Sequence, residues 1–164
     1  MTLRALRAWL FATLIALLLA GCATPPRPVV PAGVEVWTGR LALSVEGQAS
    51  QSFSAGFELK GAPENGELSL FNPLGGTVAV LAWAPGSAVL RSGGSTREFP
   101  SLDALAEEAT GAAIPITALF DWLAGRATPV AGWQADVSQV GEGRLRARRV
   151  APPPVADLRV AFEH

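Results

Sequence analysis

The 164-residue chain has no tyrosine, one cysteine, one methionine and one histidine, and that histidine is the final residue, His164. Each shortage excludes a class of chemistry. Imidazole is the usual proton carrier near neutral pH, and a terminal histidine reads as solvated tail, so catalysis built on histidine has no residue to use. A single cysteine forms no internal disulfide. With cysteine and histidine this scarce, no spacing suits a metal ion. There is no Gly-x-Ser-x-Gly elbow. Glu107 and Glu108 are adjacent, so on a helix they diverge. Asp103 and Glu107 are four apart and share a face, which is an ordinary surface pair. Gly75-Gly76 and Gly93-Gly94 open no helix after a strand, as a phosphate loop must. Neither an enzyme nor a cofactor or metal site is expected.

What the chain does have begins with its leader. Arg4 and Arg7 precede an uncharged apolar run from Ala8 to Ala20, followed by Gly21 and Cys22. A basic start, a short apolar core and small residues before a cut form the layout of a secretory signal over residues 1–21. The run is shorter than the ~20 residues of a membrane span. Leu19-Ala20-Gly21-Cys22 resembles the bacterial lipoprotein box. That resemblance implies cleavage before Cys22, acylation of Cys22 and a lipid-anchored chain. Because Ala23 rather than aspartate follows, it also implies sorting to the outer membrane. Several acyl chains, each methylene contributing about 0.8 kcal/mol, make such anchoring durable. Residues 22–33 carry several prolines and read as an extended tether. Losing Arg4 and Arg7 leaves a mature net charge of −3, which excludes nucleic acid as an expected partner because that needs a basic face.

From Val34 the pattern is that of one domain, residues 34–164. Leu41, Leu43 and Val45 alternate with Arg40, Ala42 and Ser44; Phe53, Ala55, Phe57 and Leu59 alternate with Ser52, Ser54, Gly56 and Glu58. Period two marks strands with one buried face, and Gly47 to Ser50 supply a loop between them. The segments ELSLFN, TVAVLAW, SAVLRS and TREF follow, separated by short Pro, Asn and Gly turns. The period then changes. Ser101 is placed to cap a helix carrying Leu102, Leu105, Ala106 and Ala109, with Gly111 as its stop. A second helix starts at Pro115, shows Ile116, Leu119, Phe120 and Leu123 as an apolar stripe, and stops at Gly125. Three more strand-like segments close the chain: WQADVSQVG, GRLRARRVA and VADLRVAFEH. Arg144, Arg146 and Arg148 share one face of the middle segment, spaced as a solvated face. The order of strands, two short helices and strands again is an α+β chain, with helices laid over one face of an antiparallel sheet.

Apolar strand surface is the chain's surplus. Either it all packs into a core, or part of it lines a groove for an apolar ligand; composition leaves both open. Two segments bear on the choice. Asn72-Pro73-Leu74-Gly75 sits between two strands. About forty residues later stand Gly111, Ile114, Pro115, Leu119, Trp122, Leu123 and Gly125. With the opening strand at Trp37 to Leu43, these motifs resemble the LolB family of outer-membrane lipoprotein receptors, over roughly residues 36–162. A proline-rich tether stands where the family often has a helical lead-in.

The resemblance implies a half-barrel, an incomplete antiparallel β-barrel with short helices covering an apolar cavity. It implies a monomer that receives lipoproteins from the periplasmic carrier LolA and inserts them into the inner leaflet of the outer membrane, without nucleotide. Its partners are then LolA, the acyl chains of cargo and outer-membrane phospholipid. The leucine of the turn, here Leu74, is implied to protrude and to place cargo in the membrane. For the cavity, alternation proposes Leu41, Leu43, Phe53, Phe57, Leu68 and Leu70, with Leu119, Phe120 and Leu123 as a lid. The alternatives are an envelope lipoprotein that binds lipid without passing it on, or one that is purely structural.

Overall fold

The computed structural model describes residues 35–110 and 114–163, without the side chains of Ala109 and Thr110. The leader, Cys22, the tether, Gly111 and His164 lie outside the described residues.

Among the described residues the chain builds nine strands: β1 (Glu35–Val45), β2 (Phe53–Gly61), β3 (Gly66–Phe71), β4 (Thr77–Ala84), β5 (Ser87–Ser92), β6 (Ser95–Phe99), β7 (Trp133–Asp136), β8 (Arg144–Arg149) and β9 (Ala156–Glu163). They form one open antiparallel sheet in the order β6-β5-β4-β3-β2-β1-β9-β8-β7. Neighbouring strands are consecutive in sequence except β1 and β9, whose pairing sets Leu41 opposite Val160 and Leu43 opposite Leu158. First and last strands thus lie side by side in mid-sheet, and the two edges, β6 and β7, are successive strands in sequence. The chain between those edges carries both helices, α1 (Leu102–Thr110) and α2 (Ile116–Leu123).

One face of the sheet is largely apolar, with Arg149 of β8 a buried exception. Trp37, Leu41 and Leu43 of β1, Phe57 and Leu59 of β2, Leu81 and Trp83 of β4, and Leu158 and Val160 of β9 are all buried. Their neighbours Arg40, Arg146 and Arg159 are exposed. Arg144, Arg146 and Arg148 all face solvent, as their spacing anticipates.

Helix α2 is buried almost all round: Ile116, Ala118, Leu119, Phe120, Trp122 and Leu123 lie in the core. An eight-residue helix is marginal alone. Burial of five large side chains, at about 1.5–3 kcal/mol each, is what holds it. Phe120 sits edge-on to Trp37, with ring centroids 5.5 Å apart, and to Trp83, at 6.1 Å; Trp122 packs on Trp133 of β7. The helix ends as Gly125 is expected to end it. Gly125 takes φ +80°, its N–H bonds the Trp122 carbonyl, and the Arg126 N–H reaches back to the Asp121 carbonyl, a Schellman closure. The side chains reinforce it. Arg126 donates to Asp121 at 2.9 and 2.6 Å, Thr128 donates to the other Asp121 oxygen at 2.5 Å, and Trp122 Nε1 donates to the Thr128 carbonyl.

Helix α1 begins as expected, with Ser101 Oγ accepting the Ala104 N–H at 3.2 Å. Three local expectations shift. Pro115 stands one residue before α2 as its cap. The Gly47–Ser50 loop is longer, with a 3-10 turn at Ala49–Gln51, and Ser52 Oγ accepts the Val45 N–H across it. The strand expected over WQADVSQVG stops at Asp136, because Asp136 Oδ1 accepts both the N–H and the hydroxyl of Ser138 and turns the chain.

Candidate functional site

The tip of the β3–β4 hairpin is built by Asn72. Its Oδ1 accepts the backbone N–H of Leu74 and of Gly76, each at 2.9 Å. Its backbone N–H donates to the Gly76 carbonyl, and its carbonyl accepts the Gly75 N–H. One side chain thus satisfies the inside of the loop. Pro73 fixes its own φ, and Gly75 takes φ +83°, which a side chain would resist. A Cβ on Gly76 would stand 2.9 Å from Asn72 Nδ2, so glycine there leaves room for the asparagine. Asn72 thus holds the inside of the loop, while the Leu74 side chain is 96% exposed. Val78, just beyond the loop on β4, is also exposed.

Beneath the helices lies a small chamber lined only by apolar side chains: Leu41, Phe53, Phe57, Leu68, Leu70 and Leu81 from the first strands, Leu158 and Val160 from β9, and Ile114, Ile116 and Leu119 from α2 and the residues before it. Its free volume is about 20 Å³, room for about one water molecule and far too small for a hydrocarbon tail. With no polar group on its wall, the chamber offers contact and exclusion of water but no acid, base or ligand to a metal.

Of the nine positions proposed from alternation, Leu41, Phe53, Phe57, Leu68, Leu70 and Leu119 line this chamber. Leu43, Phe120 and Leu123 are buried elsewhere in the same core, Phe120 between its two tryptophans. Leu81, Ile114, Ile116, Leu158 and Val160 complete the wall. Leu158 and Val160 alternate with Arg159 as plainly as any strand, but putting them opposite Leu43 and Leu41 requires knowing that β9 returns to β1. Ile114 stands outside the helix and carries no periodic signal. Asp121 at the end of α2 is a carboxylate held by two partners. The Thr128 hydroxyl first, then the Arg126 guanidinium, lower its pKa.

A sequence model of the family described as "Outer membrane lipoprotein LolB" matches residues 36–150. The chain is similar to the outer-membrane lipoprotein LolB of Bordetella parapertussis, 41% identical over 127 residues that cover 72% of this chain and 63% of that protein. It is similar to the protein of that name from Bordetella petrii, 34% identical over 175 aligned positions covering 89% of this chain and 86% of the relative. It is also similar to that of Cupriavidus metallidurans, 32% identical with 87% of this chain and 72% of the relative covered. The match to the Bordetella parapertussis protein thus spans somewhat less than two thirds of that relative's length.

Proposed function

The chain belongs to the LolB family of outer-membrane lipoproteins, and from that premise we propose that it is a receptor, not an enzyme. It takes lipoproteins from the carrier LolA and inserts them into the inner leaflet of the outer membrane. It is itself a monomer held at the periplasmic face of that membrane by acyl chains on Cys22. The observation that carries this reading is Leu74: an apolar side chain fully exposed on a loop that Asn72 holds in place.

A water-exposed acyl chain costs about 0.8 kcal/mol per methylene, so unassisted crossing of the periplasm is negligibly slow. The open sheet acts as a half-barrel with α2 across its mouth, and the chamber under α2 is the closed form of a tail-binding cavity. Cargo enters when Ile114, Ile116 and Leu119 lift from the strands. The two ends of α2 differ in a way that suits this motion. The C-terminal end is held by Trp37, Trp83, Trp133 and the Asp121 bonds; the N-terminal end contributes only Ile116 and Leu119 to the chamber wall.

Magnitudes favour a carrier of moderate affinity. Exposing Ile114, Ile116 and Leu119 costs about 4.5–9 kcal/mol. A dozen methylenes entering in their place contribute about 10 kcal/mol. The net gain is positive but much smaller than the tail alone would give, so release into a bilayer remains downhill. Leu74 then dips into lipid and positions the mouth against it.

The deciding measurement is transfer of a lipoprotein from loaded LolA to this protein, followed by its appearance in phospholipid vesicles. Cargo accepted and passed on supports the reading. Cargo or a fluorescent fatty acid retained without delivery points to a lipid-binding protein instead, and no uptake of either points to a structural one.

A further inference from the structure

The strand directions place a second apolar loop at the end of the sheet that carries Leu74. Strands β3, β1 and β8 run toward that end; β4, β2 and β9 run away from it. The β3–β4, β1–β2 and β8–β9 connections therefore all leave from the same end. The β8–β9 connection presents Val150, Ala151, Pro152 and Pro153, four consecutive exposed residues without a polar side chain. Solvent loops are ordinarily made of Gly, Pro, Asn, Asp and Ser, so the prolines are unremarkable and the exposed Val150 is the unusual residue.

This loop is held firmly. The Gly132 carbonyl accepts the N–H of Val150 at 2.7 Å and of Ala151 at 3.4 Å. Arg149 points inward, only 6% exposed, and its Nε and Nη2 donate to the Pro154 carbonyl at 3.3 and 3.0 Å. The loop's apolar surface is therefore a fixed feature. Single exposed apolar residues are common and mean little. Here the distribution carries the weight: among the described residues the large apolar side chains that stand exposed are Leu74, Val78 and Val150, and each lies in or beside a loop of this one end.

Resting on the membrane-delivery reading above, we infer that the Val150–Pro153 loop is a second membrane-contact point, so that the sheet meets a phospholipid bilayer at two separated loops rather than at Leu74 alone. A bilayer fits better than a protein partner. Two small loops on different strand pairs fall well short of the roughly 1,000 Å² that a specific protein interface needs, whereas insertion into lipid requires no matching shape. Exposed Arg148, two residues before Val150, supplies a cation at headgroup level for anionic lipid. Two contacts fix the tilt of the sheet on the membrane, which a single leucine leaves free.

The test places an environment-sensitive fluorophore on the full-length chain, anchored in vesicles of phosphatidylethanolamine and phosphatidylglycerol, by L74C, V150C or, at the opposite end of the sheet, E64C. Nitroxide-labelled lipids then report contact. Strong quenching at positions 74 and 150, several-fold above position 64, is the expected result. Position 150 reading like position 64 overturns the inference, and with position 74 quenched it does so while leaving the delivery reading intact. Quenching at 150 without quenching at 74 keeps the second contact and sinks the role given to Leu74. A response at 150 that appears only on adding a protein partner also overturns it. Independently, V150D should lower cargo insertion several-fold with an unchanged unfolding midpoint; unchanged insertion counts against the second contact, and if V150D does not fold, the quenching result decides.

Discussion

Asn72 holds Leu74 from behind: the side-chain oxygen of the first accepts the backbone N–H of the second at 2.9 Å, while the leucine side chain points to water. The loop's order and its apolar tip come from adjacent residues with separate jobs, and substitution separates them.

Leu74→Glu removes the tip and nothing else. A fully exposed side chain contributes little to folding, so stability should change by no more than about 0.5 kcal/mol. Acceptance of cargo from the carrier should be unchanged, and insertion into vesicles should fall at least several-fold. Thermal unfolding and a two-stage transfer assay read these apart; insertion at the normal rate would remove Leu74 from the mechanism.

Asn72→Ala keeps the leucine but deprives two N–H groups of their acceptor. Because the loop is exposed, water replaces part of what is lost, and a stability cost of about 1 kcal/mol is expected. Insertion should weaken less than in L74E. Amide hydrogen exchange at Leu74 and Gly76 should accelerate, and Asn72→Asp, which retains the acceptor, should restore protection. Unaltered exchange in N72A would mean that the asparagine does not order the tip.

Two truncations of α2 distinguish chamber wall from clamp. Leu119→Ala should destabilise by about 2–5 kcal/mol yet enlarge the chamber and increase uptake of a fluorescent fatty acid. Phe120→Ala should cost about 3–5 kcal/mol by leaving Trp37 and Trp83 without their ring partner, with no comparable gain in uptake. Equal uptake by the two variants would count against a chamber confined to the N-terminal half of α2.

The strands, the buried faces of β1 and β2, both described helices and the turn at Leu74 follow from period and turn chemistry, because those are local. Trp37, Leu43 and Phe57 announce their side of the sheet two residues at a time. What escapes local patterning is the return of β9 to β1, since a last strand can pair with many others, and with it the part that Leu158 and Val160 take in the chamber. The split within α2 was hidden for a similar reason. Leu119, Phe120 and Leu123 form one stripe by spacing, and only the positions of Trp37 and Trp83 on distant strands decide which of the three meets a ring and which meets free space. The early end of β7 depended on a side-chain oxygen at Asp136 competing with the ladder, a contest that alternation does not register.

Acid should loosen the C-terminal end of α2 first. Hydrogen bonds from Thr128 and Arg126 depress the Asp121 pKa in the folded protein, so this carboxylate adds stability above its unfolded value, near 3.9. That contribution is lost as pH falls through the lower folded value. Unfolding free energy measured below about pH 4 should therefore decline less steeply in Asp121→Asn than in the parent chain, which lacks no stability from this group at neutral pH. Identical acid limbs in the two proteins would show that the Asp121 bonds contribute nothing measurable.

Strand β1 begins at Glu35, at the end of the sheet opposite Leu74, and this sets a length requirement on what precedes it. Eleven residues of strand span about 36 Å, so a bilayer touched by the hairpin lies up to that far from Glu35. Residues 22–34, fully drawn out, reach at most roughly 43–47 Å. With Cys22 as the proposed anchor, such a leash would let the protein stand tip-down on that membrane, with little slack to spare. Deleting residues 26–31 should leave a chain that is still tethered but can no longer plant its loops, and lengthening the leash should cost nothing until cargo must find a more distant mouth.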